Sequence, residues 1–406
     1  MDKKKIIHYF GAMQFLLLAM NGPWSYCIIY FRELGFDSRE IGMMSSVATF
    51  LGMGFLPLMG VISDEFLSPK KLFLLMSCAL IPSYLAIPVL GFTVGRSFLT
   101  FLLVVSVITM TRQAANSMLD SWAGEAMDRL QVSFGNVRRF GSLGYVVTSL
   151  VASAVVGPLL PTWSCCILMP SMGILMLVLA IGPGSHSLSA DTERKRGSRP
   201  KTAELLQLVF RNYYFVTYLM LAVAFDAFLG IVNLDMTYLM DYAGTAQSNV
   251  GMVGAVRAAT EIAVMVWLGS RKKLPPYWVM LGASGLLVAA EHLLYPLVHG
   301  LGGMVAVTLC SGVAGGMYYG FGTNYVFQIV DHRAATTAIS VLGLVQAAMC
   351  VLGNAVGGEL IAASGVLALT NTVGILVLVL SAGFLSACVL GRVIWKKPYD
   401  AEVNVG

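Results

Sequence analysis

The sequence predicts an all-α membrane protein of twelve transmembrane helices in two bundles of six. Three observations carry that prediction: an apolar composition, twelve apolar stretches of spanning length, and basic residues confined almost wholly to alternate loops. Of the 406 residues, 57% are hydrophobic and 12% charged, where a soluble domain has about 25% charged. Mean hydropathy is +0.77. A span needs about 20 predominantly apolar residues. The stretches that meet this are approximately 8–31, 40–62, 72–94, 98–127, 139–160, 163–182, 212–240, 248–269, 276–297, 301–330, 336–361 and 366–392.

The first stretch follows Met1-Asp2-Lys3-Lys4-Lys5, a basic start like that of a signal peptide, but its apolar part is too long and no small-residue cleavage site follows. It is expected to stay as the first helix. Orientation is set by Lys and Arg, because basic loops remain cytoplasmic. Twenty of the 26 basic residues fall in one set of loops, three (Arg32, Arg39 and Arg96) in the other set, and three inside spans. Both termini are therefore expected in the cytoplasm, with the chain in the plasma or inner membrane. The net charge of +5 is covered by this orientation and by attraction to anionic lipid, and calls for no nucleic acid.

One long polar interruption, 183–211, runs from Gly182-Pro183-Gly184-Ser185 through Arg194-Lys195-Arg196 to Lys201 and beyond, and reads as a solvated cytoplasmic linker. It divides the chain into an N-terminal six-helix bundle, 1–182, and a C-terminal bundle with a short cytoplasmic tail, 212–406. The halves repeat. Ile41-Gly42 stands eighteen residues before Gly60, and Val250-Gly251 stands eighteen before Gly269, an offset of 209, with basic loops after both. Parallel repeats of this kind rock about a site near the bilayer midplane.

Six charged residues stand out within or at the edge of the spans: Arg112, Asp120, Arg138, Asp226, Arg257 and Glu261. A charge at a helix centre costs about 2.5–3.5 kcal/mol on insertion scales, so such residues face a bundle interior or an aqueous cavity. Arg112, Asn116 and Asp120 recur every four residues and form one stripe of span four. Asp226 and Asn233 are two turns apart on span seven, and Arg257 and Glu261 one turn apart on span eight. Trp24 and Asn21, beside Gly22-Pro23 in span one, are candidate cavity residues. Glu291 and His292 lie on span nine, nearer its outer end.

Other chemistry has little support. The seven cysteines all lie in spans without metal-ligand spacing, and adjacent Cys165-Cys166 reads as apolar filling. The five histidines are scattered. The glycine-rich run from Gly312 to Gly322 lacks the Lys-Ser/Thr of a phosphate loop, and its small residues suit close helix packing. No enzyme, cofactor or metal site is expected.

Two motifs resemble the major facilitator superfamily, in the branch of lactose permease, nucleoside and phenylpropionate proton symporters. Pro57-Leu58-Met59-Gly60-Val61-Ile62-Ser63-Asp64 followed by Lys70-Lys71 is similar to that family's loop 2–3 signature, and Phe134-Gly135-Asn136-Val137-Arg138-Arg139-Phe140-Gly141 to its entry into helix 5. The loop departs from the pattern at Leu67, where the family has glycine, and its basic pair sits one position late.

The resemblance implies a major facilitator fold with alternating access, and it assigns gating to Gly60, Asp64, Lys70 and Lys71. It implies that Asp120 and Arg138 pair between helices 4 and 5 and bind substrate hydroxyls, with Tyr145 stacking on the substrate. Arg112, Asn116 and Trp24 would complete this half-site, and a guanidinium facing a carboxylate gives directional donors and acceptors to a polyol. Phe225-Asp226-Ala227-Phe228 resembles the acidic motif of helix 7, and Glu261 falls at the branch's substrate-and-proton glutamate, so Glu261, Asp226 and Arg257 are the expected proton-coupling residues. The helix 9 arginine and helix 10 His/Glu pair of the sugar permease have no counterparts around Val288, Ser311 and Ala314. Helix 10 instead carries Tyr318, Tyr319, Thr323, Asn324, Tyr325 and Gln328, of which Tyr318 and Asn324 are expected at the substrate. The expected function is secondary active transport of a small polar metabolite, sugar or nucleoside in type, with H+. A facilitative uniporter and a non-transporting nutrient sensor remain alternatives.

Overall fold

The computed structural model describes residues 3–132, 134–182, 202–271, 273–331 and 333–395. The side chains of Asp64, Asn136, Phe228 and Asn233, and the basic run 194–201, lie outside this described set.

Each predicted span coincides with a helix. The first is divided into α1 (Lys3–Ala19) and α2 (Trp24–Glu33). Pro23 has no N–H and caps α2, while the intervening turn is closed by Asn21 N–H to the Leu18 carbonyl at 3.0 Å and Trp24 N–H to the Asn21 carbonyl at 3.2 Å. The break frees the Asn21 side chain to face inward. Next, α3 (Ser38–Glu65) starts on a capping box in which Asp37 accepts from Glu40 N–H at 2.8 Å and Glu40 accepts from Asp37 N–H at 3.1 Å. Then come α4 (Pro69–Thr93), with Ser68 as cap and Pro69 in its first turn, and α5 (Phe98–Arg129). After α6 (Gly135–Val155) the chain turns at Gly157, φ +97°, so this helix stops short of the predicted residue 160. The first half closes with α7 (Cys165–Ile181).

The expected linker is helical at its end. Residues Thr202–Arg211 form α8, because Leu205, Leu206, Leu208, Val209 and Phe210 give this piece enough apolar surface to fold, with Val209 fully buried. At Asn212 the chain bends by 81° into α9 (Tyr213–Tyr242). Asn212 caps the new helix by accepting from Phe215 N–H at 3.0 Å, and its amide donates to the Ile329 carbonyl. The remaining helices are α10 (Val250–Gly269), α11 (Tyr277–Leu294), α12 (Gly300–Ile329), α13 (Ala335–Ser364) and α14 (Val366–Val393).

Among the described residues nine helices are individually long and apolar enough to cross a membrane, and ten if the bent α8–α9 pair counts as one. Their outer faces stay apolar: Leu103, Ile174, Val266 and Val379 are all more than half exposed. In lipid such residues are in their own solvent, and helices associate through packing and polar contacts.

The helices fall into two compact units. One gathers α1–α7 with Met236–Asp241 and Thr245–Ala258; the other gathers α8, α9 as far as Asp235, Tyr242–Gly244, and the chain from Ala259 through α14. The end of α9 and the start of α10 thus belong with the first half of the sequence. Arg32 ties them there, bonding Asp241 Oδ2 at 2.5 Å and the Thr237 carbonyl at 3.2 Å while lying 4.1 Å from the centroid of the Tyr238 ring. Tyr26 and Ser153 add hydroxyl bonds to the Ser248 carbonyl at 2.6 and 3.0 Å.

Candidate functional site

In the first unit α1 packs against α6 almost backbone to backbone. A Cβ on Gly144 would lie 2.2 Å from the Phe15 carbonyl oxygen, so only glycine permits the approach. This closeness brings the fully buried Gln14 between α5 and α6. Its side-chain amide donates to Asp120 Oδ1 at 2.6 Å, and its carbonyl oxygen accepts from Arg138 at 3.2 Å. The acid and the arginine expected to pair directly are therefore joined through Gln14. A carboxamide offers a donor and an acceptor side by side, which suits it to hold both charges. Sequence reasoning missed Gln14, although a glutamine in an apolar helix was a usable signal.

Further along α5, Arg112 donates to Asn21 Oδ1 at 3.3 Å, and its guanidinium carbon lies 5.0 Å from the Trp24 ring centroid. Trp24 in turn meets the buried Tyr84 edge-on at 6.3 Å. Between Arg112 and Asp120, Asn116 holds its Oδ1 buried without a hydrogen-bond partner among the described residues. Buried acceptors of this kind are rare and invite a donor. Arg112, Asn116, Asp120, Arg138 and Trp24 thus gather in one unit. Tyr145 stands apart from the Gln14 bridge: its hydroxyl points at α10, 3.3 Å from where a Cβ on Gly254 would be.

At the predicted gating loop, Lys70 holds its ammonium 5.5 Å from the Trp122 ring centroid, and Lys71 N–H bonds the Ser68 hydroxyl oxygen at 3.4 Å. A Cβ on Gly60 would meet nothing within 4 Å. The side chain of Asp64, also assigned to gating, lies outside the described residues.

In the second unit Asp226 is 1% exposed and accepts from the Tyr318 hydroxyl at 3.2 Å. Tyr318 stacks flat on Phe225, with ring centroids 4.0 Å apart, and Gln346 of α13 reaches the same carboxylate. Glu261 lies against α12 because Gly315 leaves room: a Cβ there would be 2.9 Å from Glu261 Oε2. Arg257 is one helical turn earlier on α10. Tyr318 and Asn324 were expected together, but six helical residues rotate the side chain by about 120°. Tyr318 is buried while Asn324 is exposed and bonds back to the Gly320 carbonyl at 3.4 Å. Gln346 was not anticipated either; only packing shows which helix it faces.

A family model described as the MFS_1 like family matches residues 7–377. YwbF of Bacillus subtilis (strain 168), described as an uncharacterized transporter, is 21% identical over 337 residues, covering 82% of this chain and 81% of that protein. Among solved structures, the nucleoside transporter NupG superposes with a TM-score of 0.75 at 15% identity, covering 96% of this chain and 99% of NupG. A POT family transporter in complex with 5-aminolevulinic acid gives 0.71 at 13% identity, covering 94% and 95% of the two chains. At such identities the structural likeness speaks for the fold alone, which is that of the major facilitator transporters.

Proposed function

This chain belongs to the MFS_1 like family and is a multi-pass membrane transporter of the major facilitator type; we propose that it carries a small polar metabolite of the sugar or nucleoside class, together with H+, by alternating access. The observation that supports this most is the Asp120–Gln14–Arg138 bridge, a half-buried donor–acceptor set on three spans with Asn116 and Arg112 on the same helix as Asp120. Gln14 bonds both charged groups. A substrate hydroxyl can replace it, donating to Asp120 while accepting from Arg138, and a second donor can reach Asn116 Oδ1. Trp24 offers an apolar face to the substrate's C–H side.

Proton coupling is assigned to Glu261, with Asp226 and Arg257 in support, since a carboxyl in a site of intermittent hydration can load and release a proton as the unit changes state. Gating is assigned to the loop bearing Gly60, Asp64, Lys70 and Lys71. The termini are placed in the cytoplasm, and the exposed apolar faces are taken as lipid contacts. Facilitative uniport is the second reading, favoured by the buried, uncharged Ser311 and Ala314 where the sugar permeases have a titratable pair.

Purified protein in liposomes, screened against sugars, nucleosides and aromatic acids with and without a pH gradient, tests these readings. Gradient-dependent accumulation of a sugar or nucleoside is expected. Equilibration without accumulation would leave the uniporter, and binding without flux would leave a sensor.

A further inference from the structure

The second unit holds another group of ionisable side chains, well removed in sequence from Glu261. Asp235 on α9 and Glu291 and His292 on α11 are each 1% exposed. Close packing brings them in: a Cβ on Gly374 of α14 would sit 3.1 Å from His292 Cβ. His292 Nδ1 lies 3.0 Å from the Val288 carbonyl oxygen. A carbonyl can only accept, so Nδ1 carries the hydrogen, and Nε2 is the nitrogen that faces Asp235 Oδ2 at 3.9 Å. Tyr295 donates its hydroxyl to Glu291 Oε1 at 2.7 Å and meets the His292 ring edge-on at 5.6 Å. The carboxyls, imidazole and phenol thus form one contiguous group.

Charge counting shows what this group must do. Helices α9, α11, α12 and α13 contain no Lys or Arg, and α14 has only Arg392, in its last turn. Two ionised carboxylates opposite a single imidazole leave these spans with at least one excess negative charge even when His292 is protonated. Buried charge in low dielectric is expensive, and such a group lowers the cost by taking up a proton. The titratable neighbours are Cys310 of α12, near Glu291, and the Tyr295 phenol; α14 presents Gly374, and Glu359 of α13 is exposed. A separate feature points into the group. The Thr308 hydroxyl, fully buried, reaches the Tyr295 phenol and extends the polar group onto α12.

We propose that Asp235, His292 and Glu291 form a proton-binding site of this transporter, distinct from Glu261. A proton from water adds to the lone pair of His292 Nε2, giving an imidazolium against Asp235, or to a carboxylate of Asp235 or Glu291, giving the neutral acid. It returns to water when the site opens. The use of this site in transport rests on the H+ symport reading above, whereas proton binding is measurable without substrate.

Infrared difference spectra of the full-length protein in liposomes, stepped between pH 5 and 8 with no substrate added, test it. The wild type should show a carboxylic-acid band that titrates in this interval. Asp235→Asn with Glu291→Gln, isosteric changes checked for an unchanged amide band, should remove the part of it that persists in Glu261→Gln with Asp226→Asn, and His292→Gln should move the midpoint of that part by about one pH unit or more. A band of undiminished amplitude in the Asp235→Asn, Glu291→Gln variant, or no titrating band left in Glu261→Gln with Asp226→Asn, overturns the proposal. Proton-driven uptake by the wild type is the separate arm. If it is absent while the band behaves as expected, the symport reading fails and the proton-binding site stands.

Discussion

The polar groups of the two units differ in the sign of the charge they gather. In the first, Arg112 and Arg138 stand with Asp120, and Gln14 and Asn21 supply neutral partners to all three. In the second, Asp226, Asp235, Glu261 and Glu291 stand with His292 and tyrosine hydroxyls. A set containing both fixed donors and fixed acceptors can recognise hydroxyls by direction. A set rich in acids can lower the cost of burial by binding protons. The contrast suggests a division of labour, with recognition weighted to one unit and proton loading to the other.

The sharpest way to break that division is Glu261→Gln, which keeps shape and removes titration. It should abolish accumulation in liposomes while counterflow exchange of substrate continues. Loss of the carboxylate also changes the surroundings of Arg257, one turn away on α10, so Arg257→Gln with Glu261→Gln serves as the control. Accumulation that survives in the stable double variant would shift the coupling role to Asp226 or to the Asp235 group. Next in size is Gln14→Leu. It deletes two hydrogen bonds to charged groups that the substrate would otherwise displace, each worth about 1.5–3 kcal/mol, and should lower KM about 100-fold without affecting the infrared titration; an unchanged KM would remove the bridge from the site.

A smaller effect is expected for Arg138→Lys, because an ammonium cannot reproduce the guanidinium's fork. Affinity should fall about 10-fold, and near-normal binding would take Arg138 out of the substrate's reach. The mildest test concerns the strap that holds the ends of α9 and α10 in the first unit. With the exposed Cys78 replaced by Ser, Ala246→Cys should react with an impermeant thiol reagent from outside only. Adding Arg32→Ala should quicken that reaction several-fold, since the Asp241 and Thr237 contacts go together. Labelling from inside would reverse the orientation.

Much of the fold was legible because hydropathy and helix length are properties of local sequence, and bilayer thickness filters both. All twelve stretches recur as helices, and the largest departures are local: the break at Pro23, the early stop of α6 and the added α8. Candidate site residues were legible where charge interrupted an apolar run, as at Arg112, Asp120, Asp226 and Glu261. Gln14 and Gln346 escaped because a neutral amide interrupts hydropathy weakly. Asp235 escaped because its meaning lies in His292, which the sequence places 57 residues away.

The sequence by itself determined the solvent, the helices and which helices had to hide a charge, since insertion cost is paid residue by residue. Partnership was decided by tertiary structure. Whether Asp120 meets Arg138 directly or through Gln14, and whether Asn324 joins Tyr318, depends on helix rotation and on how near two backbones come. Those quantities are set by glycines such as Gly144 and Gly315 facing the neighbouring helix, and shifts of an ångström or two there decide which polar atoms fall within hydrogen-bonding distance.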